Sequence, residues 1–177
     1  LYMLLTPFSE TLQLFFFLLM QTPELTIENI FLWQTVTYMF MHADLLHLLF
    51  NMIILWFFAS RLEDRWGTKR FLRFYFIVGI GAALFHILLS YLTGNQSSTM
   101  LGASGALYGI MLAYALNWPD DIVLLYFVIP IKIKYLMLIA GILTFLGSVQ
   151  SAMNISSNNI SHVTHLGGLL VAFIYLR

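Results

Sequence analysis

All eight lysines and arginines of this 177-residue chain fall in alternate connections between apolar runs, which constrains the fold more than any other feature. Arg61, Arg65, Lys69, Arg70 and Arg73 share one connection, Lys132 and Lys134 follow two runs later, and Arg177 comes after the last run. The connections between them, residues 8–32, 93–101 and 150–162, hold no basic residue. Basic connections of a membrane protein stay cytoplasmic, so the remaining ones face out and the chain enters its first complete span from outside. Composition agrees. Hydrophobic residues make up 60% and charged residues 9%, with a mean hydropathy of +0.87, whereas a soluble domain carries about 25% charged residues. These values exclude a cytosolic enzyme, a disordered chain and a nucleic-acid binder. Zero cysteines exclude disulfide scaffolds, thiolate metal sites and cysteine nucleophiles. At about 20 residues per span there is room for about five or six spans, hence one transmembrane domain over residues 1–177 with no separate soluble part.

The apolar runs cover residues 36–59, 74–92, 104–116, 135–149 and Val163 onward. The first is interrupted by His42, Asp44, His47 and Asn51, and the stretch 122–149 is broken by Pro130, Lys132 and Lys134. Residues 93–99, with Gly94 and Asn95, read as a turn. Both ends look cut from a longer protein: Leu1 is not an initiator methionine, and the apolar pieces 1–5 and 12–20 do not make one span. A first helix is therefore expected to be truncated. No basic region precedes these pieces, so no signal peptide is expected.

Several polar residues stand where a bilayer disfavours them. His47 and Asn51, four apart, share one helix face, and His42 lies just before them. Ser104 opens the short run 104–116 within Gly102-Ala-Ser-Gly105, and His162 and His165 open the last run. All lie toward the outer ends of their helices. A lone buried histidine such as His86 is readily structural, but this group at matching depth marks a functional interior or a water-filled cavity. Thirteen residues at about 1.5 Å each cover only about 20 Å of a hydrocarbon core about 30 Å thick. With its inner end held at residues 117–121, the helix must begin below the outer surface. Irregular backbone at that depth is tolerated only against protein or a water-filled cavity. Water and a serine hydroxyl thus meet inside the membrane.

Serine needs a base to become a nucleophile, and histidine titrates in the useful range. Gly105 and Gly109 form a small-residue face on which another helix can pack, and Gly167 and Gly168 let the last helix be that neighbour. Such packing sets His165 beside Ser104 and lets Tyr108, one turn below, stack on the imidazole. His47 and Asn51, with the Ser104 N–H, can donate to a developing oxyanion. Asp44, at a helix start, reads as a cap, so a Ser–His dyad is expected rather than a triad.

These residues resemble the rhomboid intramembrane serine proteases over almost the whole chain. The resemblance is carried by Met41-His42-Ala-Asp-Leu-Leu-His47-Leu-Leu-Phe-Asn51, by Gly102-Ala-Ser104-Gly105 with Tyr108, and by His165-Leu-Gly-Gly168. Glu63 and Gly67 match part of the family's acidic-and-glycine signature. The resemblance implies an all-α, polytopic six-helix bundle whose short fourth helix carries the nucleophile, with transmembrane proteins as substrates and the bilayer as partner. It implies Ser104 as nucleophile, His165 as base, His47 and Asn51 in the oxyanion hole, and Tyr108, Gly102 and Gly105 in support. No metal or cofactor is expected, and the setting expected is a bacterial inner membrane with basic loops cytoplasmic. Two positions depart from the family pattern: Trp33-Gln34 replaces Trp-Arg, and Ala172 replaces a glycine.

The leading alternative is a catalytically silent relative that binds and escorts membrane proteins, although it would be free to lose Ser104 or His165. A zinc site from His42, His47, His162 and His165 lacks the His-Glu-x-x-His pattern. A channel would carry polar groups along its full depth. Asn-x-Ser triplets begin at Asn95, Asn154 and Asn159 on the expected outer side.

Overall fold

The computed structural model describes residues 10–125, 128–153 and 160–177. The apolar pieces 1–5 and most of the polar stretch holding Asn154 and Asn159 lie outside them. Among the described residues three short helices come first: α1 (Glu10–Leu19), α2 (Pro23–Glu28) and α3 (Gln34–Thr37), the last running into a 3-10 turn at Tyr38–Phe40. Five helices of 14 or more residues follow among the described residues: α4 (Leu45–Trp66), α5 (Thr68–Thr93), α6 (Ser104–Asn117), α7 (Ile133–Ala152) and α8 (Ile160–Leu176). Helices α4, α5 and α7 are long and apolar enough to cross a membrane.

Asp44 is the N-cap of α4 as expected, its carboxylate accepting the His47 backbone N–H at 2.7 Å. Two other expectations are corrected. His42 lies before the helix rather than at its outer end, because α4 begins only at Leu45. The interrupted stretch 122–134 is not merely a lead-in to a helix. Ile122–Leu125 (β1) and Ile129–Lys132 (β2) pair as an antiparallel hairpin, with Leu124 opposite Pro130. Pro130 cannot donate to a ladder, which a two-stranded hairpin with both edges open tolerates. The helix after it starts at Ile133, two residues earlier than expected.

The charged segment 61–70 forms almost no loop. Gly67, at φ 78°, turns the chain directly from α4 into α5 and donates its N–H to the Glu63 carbonyl at 2.7 Å. A left-handed conformation suits glycine best. At the other end of α5, Gly94 closes the helix at φ 74°. The core gathers around α6, whose Ala106, Leu107, Ile110 and Ala113 are buried against α5, α4 and α8.

Contact between α6 and α8 runs through small residues. A Cβ at Gly168 would strike the Gly105 carbonyl oxygen, and one at Gly109 would meet the Ala172 Cβ at 3.0 Å. Ala172 therefore fits where the family pattern has glycine, because Gly109 opposite offers no side chain. Gly167, expected on the same face, instead abuts Phe85 of α5.

Candidate active site

Helix α6 delivers Ser104 as its first residue. The first bond of this helix runs from the Leu107 N–H to the Ala103 carbonyl at 3.0 Å, so the amides before Leu107 have no partner within the helix and point toward its open end. The same end carries the positive pole of the helix dipole. Close α6–α8 packing then brings His165 across: its Nε2 lies 2.8 Å from Ser104 Oγ. The Tyr108 ring stacks on the imidazole at 4.1 Å between centroids, with an 8° angle between planes. One ring face of His165 is thereby fixed, and its Nε2 is held within hydrogen-bond distance of the serine hydroxyl.

A cavity of about 340 Å³ opens beside this pair, and its wall includes His47, Asn51, Ser104, Tyr108 and His165. The sequence places all of these together, and the structure does the same. His47 Nδ1 accepts the Ala43 N–H at 3.4 Å, which leaves Nε2 to carry the ring proton. That edge of the ring lies against Gly102: a Cβ there would come within 2.9 Å of His47 Nε2. Gly102 also adopts φ 107°, so conformation and space both call for glycine. Asn51 Nδ2 donates to the His47 carbonyl at 2.6 Å, leaving its second N–H, while its buried Oδ1 has no partner in the structure. No carboxylate lines the cavity among the described residues. His162 stands apart from this group. Its ring rests on Gly147 of α7.

Sequence reasoning missed how the serine is positioned from the strap 95–102. Gly102 donates its N–H to the Tyr38 carbonyl at 2.9 Å, and Tyr38 Oη donates to the Gly79 carbonyl at 2.7 Å. Met100 and Gln21 exchange both backbone bonds, at 2.8 and 3.0 Å. Gln34, where an arginine was the family pattern, is fully buried and needs no ion pair. Its Oε1 accepts from Thr26 Oγ1 at 2.9 Å and its Nε2 donates to the Leu18 carbonyl at 3.1 Å. Phe50 and Ile54 flank Asn51 and line the cavity, as do Leu107 and Met111 below the serine. Their i±1, i+3 and i+7 spacing from the polar anchors is the signal that could have identified them.

The Rhomboid domain model matches residues 31–177. Rhomboid-like protease 3 of Toxoplasma gondii is 39% identical over 83 residues, 47% of this chain and 30% of that protein. RHOMBOID-like protein 1 of Arabidopsis thaliana is 32% identical over 155 residues, 81% of this chain and 34% of that protein. Rhomboid protease GluP of Bacillus subtilis (strain 168) is 27% identical over 141 residues, 80% of this chain and 25% of that protein. The chain spans less than half the length of these relatives. A matching domain that reaches from residue 31 to the last residue, carried on three apolar helices, makes this chain an integral membrane protein of the rhomboid family.

Proposed function

We propose that the chain is an intramembrane serine endopeptidase that cleaves transmembrane helices near their outer ends by a Ser104–His165 dyad. The observation that carries this reading is the 2.8 Å contact between Ser104 Oγ and His165 Nε2 at the edge of a cavity. As Ser104 Oγ bonds to the scissile carbonyl carbon, His165 Nε2 takes the hydroxyl proton. The oxyanion receives hydrogen bonds from the Ser104 N–H, His47 Nε2–H and the second Asn51 N–H. When the C–N bond breaks, His165 gives its proton to the departing amine. A water, deprotonated in turn by His165, then attacks the acyl carbon, and the proton returns to Ser104. Gly102 and Gly105 keep side chains away from this centre.

Substrates are single helices whose outer ends unwind easily, because an intact helix hides its carbonyls in i→i−4 bonds. The basic side faces the cytoplasm, in a membrane of the bacterial inner type, and the site faces out. In detergent or vesicles, the purified chain should cut a reporter transmembrane helix near its outer end, and Ser104→Ala should not. Equal cleavage by Ser104→Ala, or a cut at the cytoplasmic end, would overturn this reading. A serine-directed fluorophosphonate separates it from the escort alternative, because labelling of Ser104 is expected only of a protease.

A further inference from the structure

We propose that the β1–β2 hairpin is a shallow membrane anchor that rests in the leaflet on the basic side, with its outward apolar face among the lipid chains. The hairpin joins the inner end of α6 to the start of α7, so it sits where the chain leaves and re-enters the bilayer. Strand alternation gives it two faces. Val123 turns inward and packs against the core. Ile122 and Leu124 turn outward and are 67% and 58% exposed, and Val128 at the turn is 76% exposed.

Water would surround these side chains if the hairpin projected from the membrane, and its open edges would be free to pair with other strands. The helix that follows it directly, α7, likewise exposes Leu138 and Ile142, as a lipid-facing span does. Depth is limited by the backbone. Both strands of a two-stranded hairpin have unpaired edges, which hydrocarbon does not satisfy. The strands therefore stay at headgroup level while the side chains reach about 5–10 Å into the boundary, the regime of interfacial elements.

Charge fits an apolar anchor rather than an electrostatic one. Lys132 and Lys134 both donate to Asp120, at 2.9 and 2.8 Å, so one of their two positive charges is offset and a single net positive charge faces the lipid. The same base is fixed to the bundle. Asp121 pairs with Arg61 and accepts from Tyr114 Oη at 2.6 Å, and its carbonyl receives the Ile133 N–H at 2.9 Å. An anchored hairpin thereby gives α6 a fixed height in the bilayer. This inference stands on membrane integration alone and does not depend on Ser104 being a nucleophile.

The chain has no cysteine, so single nitroxide labels can be placed without other changes. Ile122→Cys, Leu124→Cys and Val128→Cys are labelled in the full chain, with Asp64→Cys as the aqueous reference and Leu138→Cys as the deep one. In vesicles of phosphatidylethanolamine and phosphatidylglycerol, collision rates with oxygen and with a water-soluble nickel chelate are compared. The oxygen-to-nickel ratio at the hairpin should be several-fold above that at Asp64→Cys and below that at Leu138→Cys. It should persist in vesicles of phosphatidylcholine alone, because the apolar side chains, and not the one positive charge that Asp120 leaves on the two lysines, hold the hairpin in the lipid. A ratio equal to that of Asp64→Cys would overturn the proposal, as would release from phosphatidylcholine. Suppression of both collision rates would also overturn it, since protein, such as a second copy of the chain, would then cover the face.

Discussion

Two histidines, His86 buried and His165 half-buried, differ in where their ring nitrogens lead. His86, 2% exposed, is closed on both sides by protein. Its Nδ1 meets Gln21 Oε1 at 2.5 Å and its Nε2 meets Ser98 Oγ at 3.1 Å. His165 turns its Nε2 to a serine that borders an open cavity. In the first region the polar groups use up one another's hydrogen bonds and tie the outer segments together. In the second, donors are left over: the first amides of α6, one N–H of Asn51 and His47 Nε2. Burial of a polar residue is thus a poor sign of chemistry by itself. Unused hydrogen-bonding capacity facing a cavity is the better sign, because an unpaired buried group costs about 1–3 kcal/mol and persists only where it serves a purpose.

The largest expected effect separates the two histidines outright. Ser104→Ala and His165→Ala should each abolish cleavage of a reporter helix, and the double variant should be no worse than either, because groups that act as a unit are non-additive. Residual activity in both single variants, further reduced in the double one, would show that they do not act together. Next comes the contact that brings them together. Gly168→Ala places a methyl on the Gly105 carbonyl oxygen, so α8 must move away from α6 and cleavage should fall to background. Retained activity would mean that the helices tolerate a wider spacing than the 2.8 Å Ser104–His165 contact implies.

Smaller losses test the unused donors. His47→Ala and Asn51→Ala should each lower turnover by about 10²–10³ with substrate binding little changed, the usual loss on removing one oxyanion donor. A change confined to binding would make Asn51 a structural residue, resembling His86 in role. His86→Ala should do the reverse. It leaves Gln21 Oε1 without its partner, at about 1–3 kcal/mol for a buried group left unpaired, whereas Ser98 Oγ keeps the Asn95 carbonyl and Ser90 Oγ, and so lowers the unfolding midpoint while cleavage well below that midpoint survives. Lost cleavage with an unchanged midpoint would break the comparison and draw His86 into the mechanism.

The site was more legible in the sequence than its scaffold. His47 and Asn51 share a face by their spacing of four, and Ser104 is marked by a helix too short to span. His165 follows from the small-residue faces of α6 and α8. Each is a local signal, or a pair of them. What was missed joins distant segments: the Gln21–Met100 bridge, the bond from Gly102 to Tyr38 and the burial of Gln34 leave no periodic trace in the chain. The hairpin was hidden for another reason. Four-residue strands give only two alternations each, and apolar runs that short do not distinguish strand from helix. Pro130 and the lysines therefore read as a break in a helix rather than as a separate element.

The smallest expected effect lies on the basic side, where polar groups are paired as at His86 but remain exposed to water. Lys134 and Lys132, both bonded to Asp120, hold its carboxyl well below the usual range, at about 2. A depressed carboxyl contributes stability that is present above its unfolded value, near 3.9, and is lost as pH falls through the folded value. Between pH 5 and 8 Asp120 stays ionised, so this cluster should give no slope of stability with pH across that range. Exposed pairs of this kind are screened by solvent and salt. Asp120→Asn should therefore shift the thermal midpoint only slightly at pH 7 and less in high salt, well short of the shift from His86→Ala. Thermal unfolding of both variants at two salt concentrations makes the comparison. If Asp120→Asn proved as damaging as His86→Ala, pairing at the hairpin base would be as integral to the fold as the closed histidine network, and the distinction between the enclosed and the exposed cluster would fail.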